Sequence, residues 1–200
     1  EISCSLVGSE MCIRDRCYNE GNVSLNTSSK YDVFAAGGIA GTVSGIKAAI
    51  TDCYNTGSVS LTASPGETAY AGGIAGAINE ADISACYNIG GVSASSDDTG
   101  GIVGAITSRF GTVTNCYYYN DPTLQTADGT PLSTAELKQP ESYIGFDFDT
   151  VWAINPDSND GYPYLRAELT HDWGEWNIIK QPTQTAVSYT HLTLPTNSRV

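Results

Sequence analysis

The chain has 200 residues, 21 of them glycine, with 9 Lys and Arg against 22 Asp and Glu and a net charge of −13. That acidity repels phosphate backbones and anionic lipid surfaces, so neither nucleic acid nor a membrane surface is an expected partner. The length suffices for one domain, or one plus a fragment. The glycine content favours a turned β architecture over a helical bundle.

At the front stands SLVGSEMCIRDR, residues 5–16, which holds the single methionine, Met11, and looks like nothing downstream. Back-translation of Leu6–Arg16 resembles a transposase-type sequencing adapter. Val187–Thr196 resembles the reverse complement of its partner. Residues 1–16 are therefore treated as an artefactual or undefined N-terminus and 187–200 as an artefactual tail, both excluded from fold reasoning, with 5–16 and 187–200 expected to be unpacked or poorly supported. Excluding them removes three cations and three carboxylates and leaves the charge at −13. With its only Met internal and no n-region, h-region and cleavage site in view, the chain reads as a fragment. No apolar run approaches membrane-spanning length, so no insertion is expected here.

Repeats begin at Cys17. Cys17-Tyr18-Asn19-Glu20-Gly21-Asn22-Val23 returns as Cys53-Tyr54-Asn55-Thr56-Gly57-Ser58-Val59 and as Cys86-Tyr87-Asn88-Ile89-Gly90-Gly91-Val92, and Cys116-Tyr117 opens a diverging fourth copy. Between them lies a second block: Gly37-Gly38-Ile39-Ala40-Gly41, Gly72-Gly73-Ile74-Ala75-Gly76 and Gly100-Gly101-Ile102-Val103-Gly104. Its period of two indicates strands. Ile50, Ile83 and Val113 stand three positions before a cysteine. For both residues to face inward, the backbone must bend at Asp52, Ala85 and Asn115. The pattern predicts an all-β fold, a parallel β-helix-like solenoid of about four short coils, each with two or three strands and close-packed glycine corners.

Stacking then sets like on like. Cys17, Cys53, Cys86 and Cys116 form an inward ladder, read as small buried hydrophobes; parallel coils seldom give disulfide geometry, and no CxxC or nearby His supports zinc. Asn19, Asn55 and Asn88 form an amide ladder. Tyr18, Tyr54, Tyr87 and Tyr117 form an aromatic row, preferred as cover for an edge and alternatively a ligand row that stacks on sugar rings.

The CYN-x-G-x-V and GGI-x-G blocks, recurring together three times over residues 17–119, resemble the GLUG repeat family of large secreted and wall-attached bacterial proteins. Those include adhesin-like proteins and some IgA-cleaving metallopeptidases. The resemblance implies a β-solenoid and an extracellular or cell-surface location, and it carries no catalytic residues; no HExxH occurs here.

Residues 120–166 resemble the segment that closes such arrays. Ser133 and Glu136 match a capping box. Phe146, Phe148, Val151, Trp152, Ile154, Tyr162, Tyr164 and Leu165 are expected to plug the open end. Asn155–Gly161 looks like a calcium loop at a glance, but it lacks the Asp spacing and final Glu of an EF-hand, and turn chemistry accounts for it. Residues 167–186 read as a linker and the truncated start of an H-x-WGEW surface module, too short to fold alone.

The expected function is a non-catalytic repeat segment, a spacer or adhesive scaffold. It would be one monomeric stretch of a larger chain, without cofactor or metal, with a glycan or a protein of the host or cell wall as partner. The loop side at 62–70 and 94–99, or the tyrosine row, would bind. One alternative is a polysaccharide lyase-like β-helix, which needs clustered carboxylates beside an Arg or Lys base. Only Lys30, Lys47 and Arg109 are available in the repeats, at non-equivalent positions, and no His lies there for a triad. A second alternative is a non-catalytic region of a large secreted metallopeptidase.

Overall fold

Alternating apolar residues between glycine bends fold into short strands, and equivalent strands of successive repeats pair in parallel. The computed structural model describes residues 13–27, 33–95, 98–125 and 128–166, and the backbone alone of 2–6. Five strand positions make up a coil. The first is held by the front half of Ile13–Asn19, Ala49–Thr51, Asp82–Ser84 and Thr112–Thr114. The second is held by the back half of Ile13–Asn19, Tyr54–Asn55, Tyr87–Asn88 and Tyr117–Tyr119. Val23–Asn26, Val59–Thr62 and Val92–Ala94 form the third. The fourth is Val33–Gly37, Thr68–Gly72 and Thr99–Gly100, and the fifth Ala40–Ser44, Ala75–Asn79 and Val103–Ile106. The chain is thus an all-β solenoid of about three turns, and its coils hold five strands rather than two or three. The glycine pair divides one extended run and the bend before each cysteine divides another.

That bend is a single left-handed residue, at Arg16 (φ 52°), Asp52 (49°), Ala85 (51°) and Asn115 (51°). It turns Ile50 and Cys53 inward together, and likewise Ile83 and Cys86; all four are fully buried.

The interior has two lobes. Ile50, Ile74, Ile78, Ile83, Ile102 and the cysteines fill one. Val59, Leu61, Ala69, Ala71 and Val92 fill the other. Between them the coil narrows. A Cβ on Gly38 would lie 2.4 Å from Asn55 Cγ, and one on Gly73 would lie 2.2 Å from Asn88 Nδ2 and from the Gly101 carbonyl. The two sequence blocks are the two sides of this waist: asparagine fills the space that glycine leaves.

The downstream end is closed three times over. Tyr118 takes the ladder place above Asn88 and packs into the first lobe. Thr130–Leu132 adds a last strand with Pro131 opposite Tyr118, and proline has no N–H to offer a further strand. Leu124 packs against both lobes.

One expectation at the other end is corrected. Residues 13–16 are not unpacked: they form a strand in register with Ala49–Thr51, and Ile2–Leu6 pairs antiparallel beyond it. A parallel ladder is made by backbone groups, so any extended segment directly before Cys17 can pair with the coil edge. Met11 lies outside the described residues. The chain divides after Arg166, and the second unit, with the module start at 167–186 and the tail at 187–200, also lies outside them.

Candidate functional site

The tripeptide Cys-Tyr-Asn sends its first and third side chains inward and its second outward. Each asparagine bridges to the next: Asn19 Nδ2 donates to Asn55 Oδ1 at 2.8 Å, and Asn55 Nδ2 to Asn88 Oδ1 at 2.7 Å. The same nitrogens also donate two residues on, to the carbonyls of Gly21, Gly57 and Gly90 at 2.7, 2.7 and 2.9 Å. The amides are buried and their donors are used internally.

The thiols of Cys53, Cys86 and Cys116 donate to the carbonyls of Thr51, Ser84 and Thr114, at 2.9, 3.1 and 3.3 Å. These three are free, whereas Cys17 is disulfide-bonded, a departure from the buried-hydrophobe reading at that position. Burial pushes the Cys86 thiol well above its ordinary value, so it stays protonated at neutral pH.

The tyrosines stack outward. Tyr18 and Tyr54 are 5.3 Å apart and 9° from parallel, Tyr54 and Tyr87 5.2 Å and 4°. The row is not a solvent-facing strip. Residues 133–166 cover it, leaving Tyr54 and Tyr117 5% exposed and Tyr87 not at all. Trp152 lies 6.1 Å from Tyr54 and 5.9 Å from Tyr87, and Tyr143 meets Tyr87 and Tyr117 edge-on. The aromatic cluster expected to plug the open end therefore lies along the side of the solenoid, where the outward rings supply apolar surface, while the Leu124 segment covers the end.

Polar contacts fix this cap. The Tyr87 hydroxyl donates to the Pro163 carbonyl and accepts from Asn159 Nδ2 at 3.0 Å. The Tyr117 hydroxyl donates to the Ile144 carbonyl at 3.0 Å. Trp152 Nε1 donates to Asp52 Oδ1 at 3.0 Å. Burial raises Asp52 above its ordinary value of 3.8, against the lowering effect of the Trp152 hydrogen bond. Burial raises Tyr87 and Tyr143 as well. The capping box forms, with Ser133 N donating to Glu136 Oε2 at 2.9 Å and Glu136 N to Ser133 Oγ at 3.3 Å, but it starts only a 3-10 turn, Glu136–Lys138.

The 155–161 loop serves the same contact. Asp157 N donates to Asn155 Oδ1 at 3.0 Å, an Asx turn, and Asn159 reaches Tyr87. Among the described residues no group of three His, Cys, Asp or Glu side chains is placed to hold a metal. None of their helices is long and apolar enough to cross a membrane. On the loop side, Ala63 N donates to Ser95 Oγ at 2.8 Å, tying adjacent coils together, and Ser64 N donates to Glu67 Oε2 at 2.7 Å, closing the turn within one loop. Lys47 and Arg109 prove to share one corner, after Ala40–Ser44 and Val103–Ile106, with Glu80 in the coil between; Lys30 lies outside the described residues.

Asp52, Tyr143 and Asn159 were not singled out from sequence as functional. The signal that points to them is the outward tyrosine between two inward residues: an outward ring repeated in four coils needs a cover.

No family model matches the chain. A protein of Evansella cellulosilytica described as a "Putative Gly-rich membrane protein" is 37% identical over 100 residues, covering 46% of this chain and 11% of that one. A crystal structure described as "a putative immunoglobulin A1 protease" from Bacteroides ovatus superposes with a TM-score of 0.53 at 25% identity, covering 76% of this chain and 57% of that one. The chain therefore spans about a tenth of the curated relative and little over half of the solved one. It is similar to a stretch of each.

Proposed function

We propose that the chain is a non-catalytic, GLUG-type coil segment of a bacterial surface or secreted protein, acting as a spacer or ligand-presenting scaffold. The observation that carries this reading is that the repeated side chains are taken up by packing. The Asn donors are satisfied along the ladder and at glycine carbonyls, the Cys thiols at carbonyls, and the Tyr rings under the cap. What varies from coil to coil falls between the third and fourth strand positions, in the segments 62–70 and 94–99. Binding is assigned to that side, to a glycan or protein of the host or cell wall, since three of the four tyrosines are covered. A glycan array and a matrix-protein pull-down with the full chain test this. Retention lost on replacing 64–67, the turn between the two strands, supports the adhesive form; no retained ligand leaves the spacer.

The peptidase-region alternative gains support from the solved neighbour's description. An HExxH downstream in the intact gene would establish it. The lyase alternative finds cations at one corner, Lys47 and Arg109, but with Glu80 between them rather than stacked carboxylates. Unsaturated product from an anionic polysaccharide would revive it.

A further inference from the structure

The corner between the fifth and first strand positions differs in length from coil to coil. In the second coil two residues, Glu80 and Ala81, separate Asn79 from Asp82. In the first and third coils four residues separate the matching places, Ser44 from Ala49 and Thr107 from Thr112. Two longer loops therefore flank one short corner. Each carries a large apolar side chain next to an exposed cation. Ile46 is 82% exposed beside Lys47, and Phe110 is 74% exposed beside Arg109. Glu80, between the loops, is half-buried.

Hydrogen bonds hold both loops in shape. Ala48 N donates to the Gly45 carbonyl at 2.9 Å, which sets Ile46 and Lys47 at the centre of a four-residue turn. Ser108 Oγ accepts from Phe110 N and from Glu80 N, both at 3.1 Å, and so ties the third coil's loop to the short corner. Little ordering is left to be done when a ligand arrives.

The cations here are also set apart from the rest. Of six among the described residues, four are occupied. Arg14 donates to the Ile39 carbonyl and Arg166 to those of Trp152 and Phe148. Arg16 lies 3.8 Å from Asp15, and Lys138 lies over the Tyr162 ring. Lys47 and Arg109 have no partner among the described residues, and Glu80 makes no ion pair with either. Asp82 Oδ1, next along the chain, accepts from Thr112 Oγ1 at 2.6 Å.

We infer that this corner is a binding site for a carboxylated polysaccharide with one uronate on every second sugar. The loops belong to the first and third coils, so they stand two strand spacings apart, about 10 Å. An extended chain of pyranose rings covers that span with two sugars. Lys47 and Arg109 each meet a carboxylate, and Glu80 accepts from hydroxyls of the neutral sugar between them. Phe110 and Ile46 lie against the apolar faces of the rings. Glu80 disfavours an acidic peptide, which sets carboxylates over it at closer intervals. The chain as a whole is acidic, but at physiological salt its charge is screened beyond about 8 Å, so the ligand meets the corner's own groups. No bond is made or broken. The site goes beyond the binding assigned to 62–70, which lies between other strand positions, and does not rest on it.

The test measures retention of the full chain on immobilised hyaluronan, an unsulfated chain with a glucuronate on every second sugar. Lys47→Gln and Arg109→Gln are each expected to weaken retention about threefold, and together about tenfold, with Tm unchanged. Phe110→Ser weakens it as well. Hyaluronan whose carboxylates have been reduced to alcohols does not retain the chain. No retention of the unaltered chain on hyaluronan overturns the inference. So does retention that survives in the Lys47→Gln, Arg109→Gln double variant; its loss on replacing 64–67 instead would give the glycan to the other loop side. Retention on immobilised polyglutamate but not on hyaluronan would give the corner to an acidic protein and overturn the assignment.

Discussion

The asparagine ladder and the tyrosine row come from adjacent residues of one motif, yet they are completed in opposite ways. The asparagines find their partners inside the repeats: Asn19 and Asn55 donate to the next asparagine, all three to a glycine carbonyl two residues on, and Asn55 and Asn88 pack against the glycine pair across the waist. Tyr18, Tyr54 and Tyr87 stack just as regularly, but the row finishes against residues 133–166, which do not repeat. Repetition specifies that a side chain will stack. Which side of the strand it leaves from decides whether the repeat itself covers it.

The sharpest way to break this comparison is Asn55→Ala. It removes the middle of the inner ladder, taking one acceptor from Asn19 and one donor from Asn88, and leaves each of these buried amides one partner short. We expect a loss of about 3 kcal/mol, with solenoid and cap melting together by circular dichroism. A cap that melts alone would show that the inner ladder matters less than its geometry indicates.

A smaller effect is expected where the two regions meet. The folded-state pKa of Asp52 is raised, so stability falls as pH rises from its ordinary value near 3.8 through the raised one. Asp52→Asn keeps an oxygen acceptor for Trp152 and removes the buried charge. It should raise the denaturation midpoint at pH 7 and change it little below about pH 3, where Asp52 is protonated in both states. An equal gain at both pH values would assign the effect to backbone preference rather than charge.

The smallest lies at the coil corner. Ala85 holds φ 51° where the flanking coils hold Asp52 and Asn115, residue types that tolerate the left-handed region. Ala85→Asn is expected to stabilise by about 0.5–1 kcal/mol in chemical denaturation, and destabilisation would mean that packing of the Ala85 methyl beside the cap outweighs the backbone term.

Much of the solenoid was legible because its residues recur at fixed offsets. Ile50 and Ile83, three before a cysteine, required the bend that the left-handed Asp52 and Ala85 provide. The glycine pairs marked close approach, although the sequence does not say that asparagine is what approaches. The strand count fell short because a two-residue strand such as Tyr54–Asn55 has no periodicity to read. The cap was misplaced because a cluster of aromatics announces burial without naming the surface; Trp152 reaches Asp52 across 100 residues. Residues 13–16 were expected to be loose on grounds of origin, whereas pairing with a strand edge depends on the backbone.

The most direct test of the division between an inner ladder and a covered row is hydrogen exchange on Trp152→Ala. Trp152 is fully buried against Tyr54, Tyr87 and Phe146, and its truncation should withdraw about 3–5 kcal/mol from the cap contact. We expect amides in 133–166 to lose protection while those of Val59–Thr62 and Ala75–Asn79 keep it. Loss of protection in both regions together, or in neither, would contradict the account.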